Sequence, residues 1–420
     1  MRKSFSFLFS VGVCALMQVG AAAQSVETAT QSYSPEVIPA ARLITTGQQP
    51  LFGEQLRTKM DEAKQLLKSH AVSSGGNTVT LAAFDPQGSA LHLLNVEKDS
   101  FLKRDVNLVV TSQLGRPVRL TVVRANGVNT AVTVNDASSG QALVPLMVAY
   151  PIVKAGAVTE IAYYTSAHPA LVSDDTSSAG EAYIRTMLNK AAQRLSENGV
   201  RLDADVVNIA EHLCIVEHTD HKRFMTEAAS NLFPEILSLY TFNEGNTFRY
   251  SVSTAGAGGM IQMIPRTYEM VRQQHATVPL QTDFVTGMRD HANALEAMLL
   301  YMNDTWKTLA ENSEVEDALR SGVATKPELL AAGYNSNPAR LPMYLKHGGA
   351  NWKTLIPAET QMYLTIYKTV DSNVNFHRNG TANPSIGNAK TSAPSQIPRI
   401  VSLAAWVDSV FQYDLLNRIF

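Results

Sequence analysis

Residues 242–268 of this chain read FNEGNTFRYSVSTAGAGGMIQMIPRTY. The segment begins with a single carboxylate, Glu244, and continues through small residues into a glycine-rich turn. Before the turn we predict a helix over 234–244, because Pro234 suits the first turn of a helix and apolar residues follow it at helical spacing. Glu244 is thereby expected at the helix end.

A carboxyl group at a helix end loses solvation where apolar side chains surround it. The charged form is then disfavoured, the pKa rises toward neutrality, and the group can hold a proton for donation. The glycines that follow, Gly256, Gly258 and Gly259, have no side chains to obstruct a long ligand. We therefore predict that Glu244 is a general acid beside a surface for a polymer. A solvated carboxylate at a helix end is the structural alternative.

The N-terminus has the pattern of a secretory signal peptide. A short basic start precedes an apolar run over 5–19, and small residues up to Ala23 suit a cleavage site. The apolar run is short for a membrane span. We predict a signal peptide over 1–23 and a periplasmic or secreted protein, with a lipoprotein attached through Cys14 as the alternative.

Charge and cysteine content exclude some classes of protein. The net charge is −2, and removal of Arg2 and Lys3 with the signal peptide changes it to −4. This balance argues against a nucleic-acid-binding surface. Cys214 then remains alone, so no internal disulfide can form, and its apolar neighbours predict a buried side chain.

The composition changes along the chain in a way that predicts several domains, since roughly 400 residues exceed one hydrophobic core. Residues 1–23 are followed by a flexible lead-in with one helix (24–76), a small β-domain (77–168), a polar linker (169–180), a helical domain (180–376), a second linker (377–398) and a C-terminal amphipathic helix (399–420). The fold class predicted is α+β, multidomain.

The β-domain is predicted from alternation. Val118, Leu120 and Val122 alternate with polar residues, and a second run through Val132 and Val134 follows the pair Asn126-Gly127. Asn-Gly favours a tight hairpin turn. Several short strands of this kind predict an antiparallel domain arranged as a sandwich, with a role in packing or in docking a cell-envelope protein.

The helical domain is predicted from apolar residues at helical spacing. Segments with this pattern in the domain are 181–198, 203–216, 234–244, 266–275, 290–311, 326–335 and 357–370, and the lead-in has one more at 52–70, where Leu56, Met60, Ala63 and Leu67 form an apolar stripe. Gly199 is expected to end the helix over 181–198.

Within this domain the glycine-rich segment resembles the lytic transglycosylases of the soluble (SLT) type, which have a lysozyme-like α-helical fold. Glu244 stands nine residues before Ser253, as the catalytic Glu of that family stands before its Ser, and GAGGMIQMIPRT (256–267) follows in register. Further blocks match in the same order: DHANALEAMLLYM (290–302), LLAAGYNSNPARL (329–341) and ETQMYLTIYK (359–368). The resemblance covers about 200–370.

The resemblance implies roles for individual residues. Glu244 would be the catalytic acid, and Tyr334 would orient it. Peptidoglycan glycan strands would be the substrate. Gln262 and Asn335 would offer amide groups to the sugars, and Met260 with Ile261 an apolar wall. The full set of implied substrate-binding residues is Ser253, Gly256, Ala257, Gly259, Met260, Gln262 and Asn335. No metal and no other cofactor is implied.

The family chemistry needs one carboxyl group. The Glu protonates the glycosidic oxygen between N-acetylmuramic acid and N-acetylglucosamine. The same Glu, now ionised, takes the proton of the muramyl C6 hydroxyl, which attacks C1 and closes a 1,6-anhydro ring. Most glycosidases use two carboxylates.

Departures from the family pattern leave alternatives open. Gly245 replaces the Ser that usually follows the Glu, and Asn337 replaces a Gly of the third block. Glu217, which also ends an amphipathic helix, is the alternative acid if 218–243 is an insertion, although the spacing favours Glu244. An inactive peptidoglycan-binding scaffold and a hydrolytic muramidase are the alternative functions.

His218 and His221 lie three residues apart in EHTDHKRF (217–224). Such a pair can share a metal ion, but no third ligand follows at helical spacing. A polar surface turn is the prediction for this segment.

Overall fold

The computed structural model describes residues 53–70 and 76–376. The predicted signal peptide, Cys14, most of the lead-in, the second linker (377–398) and the C-terminal helix (399–420) lie outside the described residues. The described part is α+β: a curled antiparallel sheet followed by a helical region. All of it belongs to one compact unit.

The strands are β1 (Thr78–Asp85), β2 (Ala90–Glu97), β3 (Asn107–Thr111), β4 (Pro117–Arg124), β5 (Ala131–Asp136), β6 (Ala142–Lys154) and β7 (Ala157–Tyr164). The helices are α1 (Gly53–Ser69), α2 (Lys98–Phe101), α3 (Asp174–Glu197), α4 (Ala204–Val216), α5 (His221–Thr226), α6 (Ala229–Phe242), α7 (Pro265–Gln274), α8 (Phe284–Arg289), α9 (His291–Ala310), α10 (Ser313–Arg320), α11 (Lys326–Asn335), α12 (Leu341–Gly348) and α13 (Ala358–Asn373). None of the described helices is both long enough and apolar enough to cross a bilayer.

The described strands form one seven-stranded sheet in the order β2-β1-β6-β5-β4-β3, with β7 also paired to β6. Strand β6 is 13 residues long. Its start pairs with β5, its middle with β1 and its end with β7. The pairing register shifts at Ala82/Ala83 in β1 and at Ile152/Val153 in β6, and such irregularities bend the strands that carry them. The predicted sandwich is therefore wrong: one long, bent strand joins both halves into a single half-barrel.

The alternation that predicted the central hairpin is confirmed. Val118, Leu120 and Val122 of β4 are fully buried, and Val132 and Val134 of β5 face the same core. The connection is longer than the expected tight turn. Residues 125–130 include a 3-10 turn at Gly127–Asn129, in which the Asn129 N–H donates to the carbonyl of Asn126.

Helix α1 packs against β1 and β6 through its predicted apolar stripe. Leu56, Met60, Ala63 and Leu67 are all buried in a small core beneath the sheet. The i, i+4, i+7 spacing of these residues was sufficient to predict both the helix and its buried face.

The predicted linker over 169–180 is wrong for its second half, which belongs to helix α3. The helix begins at Asp174, because Ser173 and Thr176 form a reciprocal capping box that satisfies the first free N–H groups. Residues 174–180 of this stretch are thus the first turns of a helix. The predicted inward face is confirmed by Ile184 and Leu188, which are fully buried. Gly199 follows the helix end with φ 77°.

Helix α6 begins at Ala229, five residues before the predicted start, and carries Pro234 inside it. The additional first turn buries Leu232 and Phe233, which compensates for the hydrogen bond that proline cannot donate. The helix ends at Phe242, so Glu244 lies in the turn beyond it.

The sheet and the helical region share one hydrophobic core, which includes Leu120 of β4, Leu188 of α3 and Leu213 of α4. An ion pair also crosses between them, where Arg124 of β4 lies 2.9 Å from Glu235 of α6. Cys214 lies in this core, fully buried, as predicted.

The contact between α3 and α6 gives the first testable prediction. A Cβ atom at Gly180 would lie 2.0 Å from the carbonyl oxygen of Leu237. Gly→Ala inside a helix normally stabilises by about 1 kcal/mol. Here we expect Gly180→Ala to destabilise by about 1–3 kcal/mol, because the two helix backbones must separate.

Urea unfolding followed by circular dichroism measures this difference in the free energy of unfolding. Ser178→Ala, at an exposed position of the same helix, is the control and should change stability by less than about 0.5 kcal/mol. A Gly180→Ala protein as stable as the control would contradict the close packing of α3 on α6.

Candidate functional site

The candidate site is centred on Glu217, at the C-terminal end of α4. Asp203 caps this helix by accepting from the N–H of Asp205, and every residue from Ile209 to Val216 is buried. Glu217 is the C-cap residue, and its N–H donates to the carbonyl of Leu213 at 3.0 Å. Its side chain is partly buried. A carboxyl group is thus placed at the end of a rigid, buried helix.

Tyr363 of α13 donates a hydrogen bond from its hydroxyl to Oε1 of Glu217 at 2.6 Å. The ring of Tyr363 is 3% exposed. Burial, with the nearby Glu217 charge, raises the pKa of Tyr363 well above its usual value, so the hydroxyl keeps its proton and acts as the donor. This short bond fixes one carboxyl oxygen and leaves the other for a reacting group.

Burial raises the pKa of Glu217 to about 8. The hydrogen bond from Tyr363 acts in the opposite direction, and the negative charge of Glu359 raises the value further. Since the largest effect is the loss of solvation, the proton stays on Glu217 at neutral pH. This is the protonation state that a general acid requires.

The glycine-rich segment forms a compact turn beside this carboxyl group. Gly258 is bridged to Val252 and to Met263, and a 3-10 turn follows at Gly259–Ile261. Gly259 has φ 68°, and a Cβ atom there would lie 2.6 Å from the carbonyl oxygen of Met288. Glycine is therefore required at this position by both conformation and space.

Side chains of the same segment hold its shape. The Ser253 hydroxyl accepts from the N–H of Ala257 at 3.0 Å, and the Gly256 N–H donates to the carbonyl of Ser253 at 2.9 Å. Gln262 adopts φ 45°, and its side-chain amide donates to the carbonyl of Gly259 at 2.8 Å. The turn is thus built largely from its own hydrogen bonds.

Two rings hold this turn next to Glu217. His218 Nε2 lies 2.9 Å from the carbonyl oxygen of Met260, and the Tyr334 hydroxyl donates to the carbonyl of Ile261 at 2.7 Å. Burial lowers the pKa of His218 to about 3, so the ring is neutral at neutral pH. Its Nε2 must carry the proton, because the partner is a carbonyl oxygen.

The ends of α11 and α13 meet at the same place. The Thr360 hydroxyl of α13 donates to Oδ1 of Asn335 at 2.8 Å. Asn335 follows Tyr334 in sequence, and Thr360 lies one helical turn before Tyr363. Three of the matched sequence blocks, 256–267, 329–341 and 359–368, therefore meet around Glu217.

Glu244 lies apart from this arrangement. It is exposed in the turn after α6, and the next residue, Gly245, donates from its backbone to the hydroxyl of Tyr183 at 2.7 Å. The prediction that apolar side chains surround Glu244 is therefore wrong. The helix ends earlier than predicted, and this residue points into solvent.

Two further expectations are corrected. The Tyr334 hydroxyl binds the Ile261 carbonyl, and Tyr363 makes the hydrogen bond to the carboxyl of Glu217. Met260 and Ile261 are fully buried, so they pack beneath the turn and offer no exposed apolar wall.

Among the implied binding residues, Ser253, Gly256, Gln262 and Asn335 retain partial exposure, whereas Ala257 and Gly259 are buried.

The sequence matched Tyr363 and Glu359 to a motif without assigning a role to either. Their i, i+4 spacing places both on one side of the start of α13. That spacing was the available indication that they act together. Within the described residues, no group of three or more His, Cys, Asp or Glu side chains is arranged to hold a metal ion.

No protein-family model matches this chain, and no curated protein or solved structure was found to be similar to it.

The raised pKa of Glu217 makes a prediction about stability that needs no assay of function. The folded value is about 8 and the ordinary value is 4.5. Between these values the folded protein keeps a proton that the unfolded chain releases. The contribution of Glu217 to the stability of the wild type should therefore fall as the pH rises from about 4.5 to 8, and it should level off above 8.

Glu217→Gln cannot titrate, so its stability relative to the wild type should increase over the same window, by at most about 1.4 kcal/mol per pH unit. Urea unfolding of both proteins at several pH values between 5 and 9 measures the difference. The other titrating groups are common to both proteins and cancel. A difference that stays constant with pH would show that Glu217 has an ordinary pKa.

Proposed function

We propose that this protein is a peptidoglycan lytic transglycosylase and that Glu217 is its acid. The observation that carries the proposal is the partly buried carboxyl group of Glu217, bonded to Tyr363 at 2.6 Å and protonated at neutral pH. It stands at the end of a buried helix, beside a turn of small residues. Such a group can donate a proton to a polymer that lies across the turn.

The convergence of the matched sequence blocks supports a lysozyme-like arrangement of the helical region. Residues 256–267, 329–341 and 359–368 meet around Glu217 through hydrogen bonds to Met260, Ile261 and the carboxyl itself. In this arrangement residues 218–243, which include all of α5 and α6, are the insertion that displaces the family spacing. Glu244 then has no part in the chemistry.

The proposed reaction uses the carboxyl group twice. Glu217 transfers its proton to the glycosidic oxygen as the bond from that oxygen to C1 of N-acetylmuramic acid breaks. The carboxylate then accepts the proton of the C6 hydroxyl, whose oxygen forms a new bond to C1. The products are a 1,6-anhydromuramyl end and a free 4-hydroxyl on the departing sugar, and no water is consumed.

The partly exposed polar side chains around the turn are the proposed sugar contacts. Gln262 and Asn335 are each fixed by one hydrogen bond within the protein, to Gly259 and Thr360 respectively. Holding these amides in place before the substrate arrives lowers the entropic cost of binding. Ser253 and Gly256, in the glycine-rich segment, are further proposed sugar contacts.

Hydrolysis is a second candidate reaction, favoured by Glu359. This exposed carboxylate is close enough to Glu217 for its charge to raise the pKa of that group. Inverting glycosidases place a second carboxylate where it activates water. A muramidase would then use Glu359 as the base and release reducing ends.

An exported location follows from the same proposal, since peptidoglycan lies outside the cytoplasm. We propose a periplasmic or secreted enzyme, with a cell-envelope protein as a partner of the β-sheet region or of residues 399–420.

The decisive experiment is digestion of purified peptidoglycan followed by mass spectrometry of the products. We expect anhydromuramyl ends from the wild type and a loss of at least about 100-fold in rate for Glu217→Gln, which cannot donate a proton. Glu244→Gln is the matched control, because it makes the same change at an exposed carboxylate, and it should retain the wild-type rate.

The other outcomes are equally informative. Reducing ends, lost in Glu359→Gln, would replace the transglycosylase with a muramidase. Binding without any product would indicate a scaffold. If Glu244→Gln lost activity and Glu217→Gln kept it, the catalytic acid would be Glu244, in the exposed turn after α6.

Tyr363→Phe tests the hydrogen bond to the acid. Because this bond favours the charged carboxylate, its removal should raise the pKa of Glu217 above about 8. The alkaline limb of the rate–pH profile should then move to higher pH. Tyr334→Phe is the control, since its hydroxyl binds the Ile261 carbonyl, and it should leave that limb in place. If the alkaline limb were unchanged in Tyr363→Phe, the hydrogen bond from Tyr363 would have no influence on the pKa of the catalytic acid.

A further inference from the structure

Phe248 has an unusual conformation close to the site. Its φ is 58°, in the left-handed region that residues with a Cβ rarely adopt, and it is 7% exposed. Its backbone N–H donates to the hydroxyl of Tyr164 at 3.3 Å. Tyr164 is the last residue of β7 and is 1% exposed. The sheet therefore helps to hold a strained residue of the helical region.

The ring of Phe248 stacks on the ring of His218. The two centroids are 3.4 Å apart and the planes differ by 3°. His218 directly follows Glu217, and its Nε2 lies 2.9 Å from the Met260 carbonyl oxygen. The stack fixes the plane of the His218 ring, and the hydrogen bond fixes its rotation within that plane.

A second ring connects Phe248 to the helix that carries Glu217. Tyr240 meets Phe248 edge-on, with centroids 5.4 Å apart and planes at 74°. The Tyr240 hydroxyl donates to the carbonyl of Cys214 at 2.8 Å. That carbonyl belongs to the last turn of α4, where helix carbonyls lack partners within the helix. Phe248 thus contacts the end of α4 both through His218 and through Tyr240.

We propose that Phe248 is a positioning residue for the acid, and that Tyr164, Phe248 and His218 form a contact chain by which the β-sheet sets the position of Glu217. The proposal rests on the proposed function in naming Glu217 the acid. It gives the β-sheet a role in the site, although no described residue of the sheet belongs to a matched sequence block or contacts the carboxyl group directly. Strained backbone often persists at sites where the surrounding structure requires it.

The test compares Phe248→Leu with Phe101→Leu. Both remove a buried aromatic ring, but Phe101 lies in α2 against Tyr150, in the sheet region. We expect Phe248→Leu to lower kcat by roughly 10- to 100-fold with KM nearly unchanged, since a small displacement of a catalytic group has effects of this size. Phe101→Leu should keep the wild-type kcat per folded molecule.

The alkaline limb of the rate–pH profile separates positioning from a general loss of structure. In Phe248→Leu the carboxyl of Glu217 should gain water, so its pKa should fall and the limb should move to lower pH. The titratable groups that face Glu217 from α4, α6, α11 and α13 are unchanged in both variants: Cys214, Tyr240, Tyr334, Glu359 and Tyr363. Tyr164→Phe, which removes only the hydroxyl, should move the limb in the same direction by less.

A further measurement holds even if the wild type cleaves nothing. The pH dependence of stability, compared between Phe248→Leu and Phe248→Leu with Glu217→Gln, gives the pKa of Glu217 without turnover. A value below that of the wild type supports the contact chain. An unchanged value, or equal changes in Phe248→Leu and Phe101→Leu, overturns it. Absence of cleavage with a lowered pKa would reject the proposed function and keep the contact chain.

Discussion

The hydrogen bond between Tyr363 and Glu217 is the contact on which the candidate site depends. It joins residues 146 positions apart and requires α13 to pack against the end of α4. The carboxyl group is enclosed by that packing, and its loss of solvation outweighs the stabilisation that the tyrosine gives to the charged form. The balance leaves a proton on Glu217 at neutral pH. Without the packed helices, Glu217 would be an ordinary exposed carboxylate.

The surrounding structure supports this one contact from several directions. The glycine-rich turn is held by carbonyl hydrogen bonds to His218 and Tyr334, and Gly259 admits the backbone of α8 at a distance that a side chain would block. The hydrophobic core shared by the sheet and the helices holds α4 in place through its buried residues, such as Leu213. The site is therefore a product of rigid elements and of a turn with little freedom, which is the arrangement that proton transfer to a bound polymer favours.

Local sequence patterns predicted most of the architecture. The stripe of α1, the inward face of α3 and the alternation of β4 and β5 are all found as expected, because each depends on a spacing that one element imposes by itself. The single curled sheet was not predicted. Its shape depends on β6 pairing with three other strands, and no property of residues 142–154 alone specifies those partners. The start of α3 was missed because capping residues resemble linker residues in composition.

Residue patterns alone indicated an antiparallel sheet region and a helical region, and they placed the motif-like segments between 256 and 368 in a fixed order. The same patterns predicted both Glu217 and Glu244 as acids at helix ends, although α6 ends two residues before Glu244. The folded chain distinguishes their surroundings, because Glu244 is exposed beyond α6 whereas Glu217 is enclosed where α13 packs on α4 and Tyr363 binds it. The physical reason is that desolvation arises from contacts between distant segments. Spacing along the chain measures the distance between a Glu and a glycine-rich turn, whereas the pKa depends on which side chains exclude water from the carboxyl group.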